Sequence, residues 1–150
     1  MNQTIRLCTT DDLPVVADIG KLFFEEGKLP GKLIPEVFIR TWESFLTSGA
    51  GGILLLENDG AAIGMLGFLK YPDINDGETV MSETFWYVKP DQRGGGLRLL
   101  KRFEDIAREQ GAKRVIMAHL KNLMPAELEH LYVRRGYKPT ETNYLKVLST

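Results

Sequence analysis

One stretch constrains the fold more than any other: Val88-Lys89-Pro90-Asp91-Gln92-Arg93-Gly94-Gly95-Gly96-Leu97-Arg98-Leu99-Leu100. An apolar, strand-like run over 84–88 enters it. Pro90 stops that strand, because proline has no amide hydrogen to give to a ladder. Three consecutive glycines follow, and then an amphipathic helix expected over about 95–110. At 100° per residue Leu99, Leu100, Phe103, Ile106 and Ala107 fall within one arc of roughly 120°, which is a core-facing stripe. A strand, a glycine turn and a helix start together make an anion site. The glycines let several backbone N–H groups point one way with no Cβ in the path of a guest. The helix start adds unbonded amides and a partial positive charge, and Arg93 adds a full one. The guest expected there is a phosphate or pyrophosphate.

The 150 residues suit one domain, 1–150, and an apolar fraction of 43% allows a real core. No run reaches membrane-spanning length, and residues 1–13 hold no signal-like apolar stretch. The single cysteine, Cys8, excludes an internal disulfide and any multi-cysteine metal site, and no metal is expected. Cys8 reads as a small buried side chain of the first strand, and a cytoplasmic protein is the expectation. The net charge of −1 hides an asymmetry: residues 57–88 carry six acids and one base, whereas 89–121 carry nine bases and four acids. The basic segment begins at the glycine turn. It lacks the interleaved aromatics of a nucleic-acid surface, so neither nucleic acid nor membrane is expected as a partner.

The elements follow in order. Residues 5–8 read as a first strand, and Thr9, Thr10, Asp11 and Asp12 offer capping oxygens for a helix over 13–26 with Pro14 in its first turn. Gly27 is expected to end it. A second helix is expected over 35–47, with Val37, Phe38, Trp42, Phe45 and Leu46 as its apolar face. A meander of strands, 53–57, 61–71 and 78–88, comes next, with Asn58-Asp59-Gly60 as a hairpin signal and Gly64 and Gly67 as bulge sites. After the glycine-turn helix, 114–118 reads as a buried strand. A helix opening at Pro125 and a last strand or hairpin within 137–148 close the chain. The fold class is α/β with a mixed sheet in the order β-α-α-β-β-β-α-β-α-β.

Two nucleotide motifs fail. A G-x-G-x-x-G starting at Gly94 would need glycine where Leu99 stands, and no Gly-Lys-Ser/Thr of a P-loop is present. The stretch from Thr84 to Gly136 instead resembles the GNAT superfamily of N-acetyltransferases. The match is Val88-Lys89-Pro90, then Arg93-Gly94-Gly95-Gly96-Leu97-Arg98, then the helix exit 107–115, then Leu131-Tyr132-Val133-Arg134-Arg135-Gly136-Tyr137. The resemblance implies a central, mostly antiparallel sheet with a splayed parallel pair, and acetyl-CoA as cosubstrate. It implies that the turn amides hold the pyrophosphate and that the pantetheine arm lies along Trp86, Tyr87 and Val88. Arg98 departs from the family, which prefers glycine or alanine there; it either pairs with a phosphate or crowds the site. Asn122 is carried over as a cofactor contact, although it stands ten residues before Tyr132 rather than about seven.

The same resemblance implies that Tyr132 is the general acid. A phenol with a reference pKa of about 10 stays protonated at neutral pH and can protonate the departing thiol; the alternative is that Tyr132 packs a helix onto the sheet. Glu83, on the strand entering the turn, is the first candidate base for the incoming ammonium, against a reading as an acid on a solvent face. His119 is the second, and His130 reads as a surface residue. The expected activity is direct, acetyl-CoA-dependent N-acetylation of a primary amine on a small molecule or peptide. The alternative is a non-catalytic CoA or acyl-CoA binding module. Asp73, Asp76 and Glu78, in the loop before the third meander strand, could draw in a cationic amine. Pairing of edge strands leaves a homodimer open.

Overall fold

The computed structural model describes residues 2–118 and 125–149. His119 and Asn122 lie outside the described residues. Contacts divide the chain into two units, Met1–Ala118 and His119–Thr150.

The first unit holds five strands and three helices: β1 (Gln3–Leu7), α1 (Leu13–Gly27), α2 (Pro35–Ser48), β2 (Gly51–Asn58), β3 (Ala61–Pro72), β4 (Thr79–Val88), α3 (Gly96–Glu109) and β5 (Arg114–Ile116). The strands form one sheet in the order β1-β2-β3-β4-β5. Three antiparallel pairings are followed by one parallel pairing, β4 with β5. The hairpin between β2 and β3 turns through Asp59 and Gly60 at φ 51° and 85°. Two positive-φ residues in a two-residue loop are what a type I′ turn requires, and its twist matches that of the strands.

Successive side chains of a strand point to opposite faces, and aromatic contacts show which helix covers which. Phe68 of β3 meets Phe103 of α3, with ring centroids 5.3 Å apart. Phe85 of β4, opposite Gly67, meets Phe38 and Trp42 of α2 at 6.2 and 5.4 Å. Tyr87 meets Phe23 of α1 at 5.7 Å. Thus α1 and α2 cover one face and α3 the other. The expected stripe of α3 is buried throughout, as are Ile53, Leu54, Leu55 and Leu56 of β2. Burying a residue of Phe103's kind contributes about 1.5–3 kcal/mol.

Two register shifts shape the sheet. Leu56 pairs with Gly64 but Glu57 with Ala62, so Ile63 is an extra residue on β3. Gly67 pairs with Phe85 but Phe68 with Glu83, so Thr84 is an extra residue on β4. Both expected glycines adjoin a bulge. At Gly67 the reason is close approach: a Cβ there would lie 2.4 Å from the Phe85 ring.

Several expectations are corrected. α1 does end at Gly27, but the glycine is its last helical residue, and the left-handed residue is the next one, exposed Lys28 at φ 49°. Val37 is half exposed rather than part of a buried α2 face. The strand expected over 114–118 is only three residues long and not buried; among the described residues it pairs with β4 alone, and Ile116 is 44% exposed. In the second unit α4 (Pro125–Arg134) forms as expected, and Gly136 takes φ 89° beyond it. The last strand of the expected order is not formed: residues 137–149 carry no secondary structure, and Tyr144 and Leu148 are about nine-tenths exposed. An alternating pattern becomes a strand only with a partner to bond.

Candidate active site

β4 leads directly into the glycine turn. Lys89 N–H bonds the carbonyl of Ile63, the extra residue of β3, at 2.9 Å. The chain then passes through a 3-10 turn, Pro90–Gly95, interrupted at Gln92 (φ −136°, ψ 25°), and enters α3 at Gly96. The Gln92 carboxamide oxygen accepts from Asn58 Nδ2 at 3.1 Å, which pins the turn to the end of β2.

The three glycines are not equivalent. A Cβ on Gly95 would lie 2.5 Å from Leu56 Cδ2, so packing of the fold itself requires this residue to be small. A Cβ on Gly94 would meet nothing within 4 Å, and one on Gly96 would make ordinary contacts at 3.7–3.8 Å with Trp86 and Val88. None of the three has a positive φ. Neither packing nor backbone strain therefore explains the bare surface at 94 and 96, which is the side a guest on the helix start would approach.

The cofactor candidates separate by what they present. Trp86 is half-buried beside Gly96. Val88 is buried on the same side. Tyr87 points the other way, and its phenol donates to Glu26 Oε1 of α1 at 2.9 Å, so this residue can offer a guest on the α3 side only its backbone. Arg93 belongs to the 3-10 turn and Leu97 to the exposed first turn of α3. Arg98 neither fills the turn nor points into it: its guanidinium reaches sideways to β1, donating to Gln3 Oε1 at 3.0 Å and to Gln3 O at 3.5 Å.

Glu83 lies where the sheet opens. The ladder between β4 and β5 ends at Ser82 opposite Ile116. One residue on, Glu83 Oε1 accepts the N–H of Ala118 at 3.3 Å, so a side chain takes the place of a strand carbonyl. Part of the residue's area stays exposed, but its carboxyl end is crowded by protein. That crowding dominates: burial pushes the carboxyl up to about 8, against a smaller opposing effect of the Ala118 N–H. The bulge at Thr84 matters here. Glu83 pairs with Phe68, and Trp86 with Leu66, so the extra residue sets Glu83 on the same face as Trp86 and Val88. Gly67 across the ladder signalled a bulge here, but nothing in the β4 sequence placed the extra residue at Thr84.

Tyr132, in the second unit, is buried in α4, with its ring 5.5 Å from that of Tyr137. His130 is exposed, as expected. Cys8 is buried, and burial pushes its thiol up to about 12, which makes it a poor nucleophile. Two of the three acids of the loop between β3 and β4, Asp73 and Asp76, are already engaged. Arg114 lies 2.8 Å from Asp76 and 3.4 Å from Asp73, and the two aspartates accept the N–H groups of Glu78 and Asn75.

Known proteins place this arrangement. The model of the acetyltransferase (GNAT) family matches residues 18–137, which run through both units. Among curated proteins none matches the sequence. Solved structures do share the fold. A ribosomal-protein-alanine N-acetyltransferase from Brucella melitensis biovar Abortus 2308 superposes with a TM-score of 0.75 at 20% identity, over 99% of this chain and 100% of its own. A predicted acetyltransferase from Clostridium acetobutylicum, solved with acetyl-CoA, gives 0.77 at 19% identity over 97% and 96%. An aminoglycoside acetyltransferase from an uncultured soil metagenomic sample gives 0.78 at 13% identity over 99% and 100%. No helix among the described residues is long and apolar enough to cross a membrane. A mixed sheet with one parallel pair, a glycine turn heading α3 and a family match over most of the chain lead to one conclusion: this chain belongs to the GNAT family of acetyltransferases and is an acyltransferase.

Proposed function

We propose that the protein transfers an acetyl group directly from acetyl-CoA to a primary amine of a small molecule or peptide. The observation that carries this reading is the glycine turn. Gly95 is required by packing, while Gly94 and Gly96 leave bare backbone at a helix start, a cradle that a Cβ at either position would begin to fill. Acetyl-CoA bound there would supply the thioester acetyl group. The chain's own part is threefold. The turn amides of 93–98 and the partial charge at the head of α3 hold the pyrophosphate, and Arg98 exchanges Gln3 for a phosphate oxygen. Trp86 and the backbone of Tyr87 and Val88 align the pantetheine arm. Glu83, with its carboxyl raised to about 8, takes a proton from the incoming ammonium, and the Tyr132 hydroxyl returns one to the departing sulfur. Asn122 is retained as a further cofactor contact. Reading 1–150 as one domain, in a cytoplasmic setting, belongs to the same proposal.

The acceptor does not come from likeness of fold, since the Brucella and soil proteins, named for different acceptors, superpose equally well. The test is thiol release from acetyl-CoA across a panel of primary amines, peptides and polyamines, with the acetylated product weighed by mass spectrometry. Turnover of at least one amine is the expected result. Tight CoA binding with no turnover of any acceptor would leave a binding module instead.

A further inference from the structure

The ends of β1 and β2 hold the glycine turn at several points. Leu56 and Asn58 stand two residues apart on β2, so their side chains leave the strand on the same side. Leu56 packs against Gly95, where a Cβ would lie 2.5 Å from its Cδ2. Asn58 donates through Nδ2 to the Gln92 carboxamide oxygen at 3.1 Å. Across the ladder Asn58 pairs with Gln3, which receives the Arg98 guanidinium. The corner that carries Asn58 is itself held. Asp59 N–H donates to Asn2 O at 2.9 Å, and Asn2 N–H donates to Asp59 Oδ1 at 3.2 Å.

This anchor answers a difficulty of the sequence. Consecutive glycines give the backbone more conformations than other residues do, and that freedom is lost when a guest binds. A cradle of N–H groups binds best when the groups already converge before the guest arrives. Gln92 is where the turn leaves helical geometry, at φ −136° and ψ 25°, so its conformation sets the direction in which the three glycines set out. Its N–H donates to Lys89 O at 2.9 Å, and its side chain is held by Asn58. The hairpin does not itself call for asparagine at 58. Asp59 and Gly60 supply the positive φ angles, and asparagine is depleted in strands. Both carboxamides are half-buried and neither is charged, so salt has little to screen in the bond between them.

We infer that Asn58 is a positioning residue for the cosubstrate, acting through Gln92 to hold the glycine turn in the shape that receives the pyrophosphate. The inference rests on the acetyl-CoA reading and extends it to a residue outside the turn. CoA binding is measured by calorimetry in wild type, Asn58→Ala, Gln92→Ala and the double variant, at low and at high salt. Each single variant is expected to raise the Kd for CoA by about five- to tenfold, the worth of one neutral hydrogen bond. The double variant should bind within about twofold of either single one, because both changes remove the same bond. The loss should be the same at both salt concentrations, unlike a loss of direct charge on the phosphates. In steady-state kinetics the KM for acetyl-CoA should rise by the same factor while kcat and the KM for the amine stay put. A residue that merely closes the hairpin would lower the melting temperature and leave these ratios unmoved. Should Asn58→Ala unfold the corner, Gln92→Ala removes the same bond from the turn and decides alone. Losses that multiply in the double variant, a loss that vanishes at high salt, or a fall in kcat with the KM for acetyl-CoA unchanged overturns the inference. Wild type that binds CoA, with both single variants binding equally well, overturns it and leaves the acetyl-transfer reading standing. Wild type that does not bind CoA overturns both.

Discussion

The carboxylate of Glu83 accepts the backbone N–H of Ala118, so the point where β4 and β5 part is closed by an acid. That acid titrates where few carboxyls do. From the ordinary carboxyl range up to about 8 the folded protein keeps a proton that the unfolded chain has released. Stability therefore falls as pH rises through that window. The melting temperature of the wild type should decline between pH 5 and 9, and Glu83→Gln should remove that part of the decline. Turnover should run the other way, rising with pH to a plateau above about 8 as the base form appears. Glu83→Gln should be slower and lack that limb; an unchanged pH–rate profile would rule Glu83 out as the base.

The glycine turn predicts a split outcome. Gly95→Val drives a side chain into Leu56 and should lower stability by about 1–3 kcal/mol, the usual range for overpacking. At Gly94 and Gly96 an added Cβ fits without a clash, so Gly94→Val and Gly96→Val should melt within a few degrees of wild type. Both should lose the rise in melting temperature that CoA gives the wild type, since that rise depends on ligand bound to the native state. A full CoA response in both would move the pyrophosphate elsewhere.

Arg98→Ala separates two roles of one side chain. Its link to Gln3 is exposed, and losing it should leave the melting temperature nearly unchanged. A hydrogen bond from a cation to a phosphate is worth about 1.5–3 kcal/mol, so CoA affinity measured by calorimetry should fall by roughly 10–100-fold. The loss should shrink at high salt. Tighter binding by the variant would mean that this arginine obstructs the turn.

Tyr132→Phe keeps the ring that packs near Tyr137 and removes only the hydroxyl. If that hydroxyl protonates the leaving sulfur, acetyl-CoA should bind as before while turnover drops about 10²–10⁴-fold. A fully active variant would assign this tyrosine to packing alone.

What the sequence made legible was local and chemically forced. Asn58-Asp59-Gly60 could hardly be anything but a tight hairpin, and the buried stripe of α3 follows from the spacing of Leu99, Leu100, Phe103, Ile106 and Ala107. What stayed hidden depended on distant partners. Gln92 anchors the turn only because Asn58 comes alongside it, and Arg98 leaves the turn only because Gln3 is at hand. The exposure of Ile116 goes with a strand that, among the described residues, pairs on one side only, which no run of apolar residues announces. The run ending in Val147 and Leu148 has a strand's pattern without a strand's pairing. At the end of α1 the glycine marks the stop, but the left-handed turn falls one residue later, on Lys28.

The two bulges that flank β3 make the sheet sensitive to parity. With Thr84 present, an odd number of steps along β4 still places Glu83 on the face of Trp86 and Val88. Deleting that one exposed residue would restore a regular alternation and turn either the acid or the glycine turn to the opposite side. Substitution at Thr84 carries no such consequence. Variation in this segment should therefore tolerate exchange of residue type at position 84 but not loss or gain of a residue between 83 and 88, a rule about length that no residue in the segment reveals when taken alone.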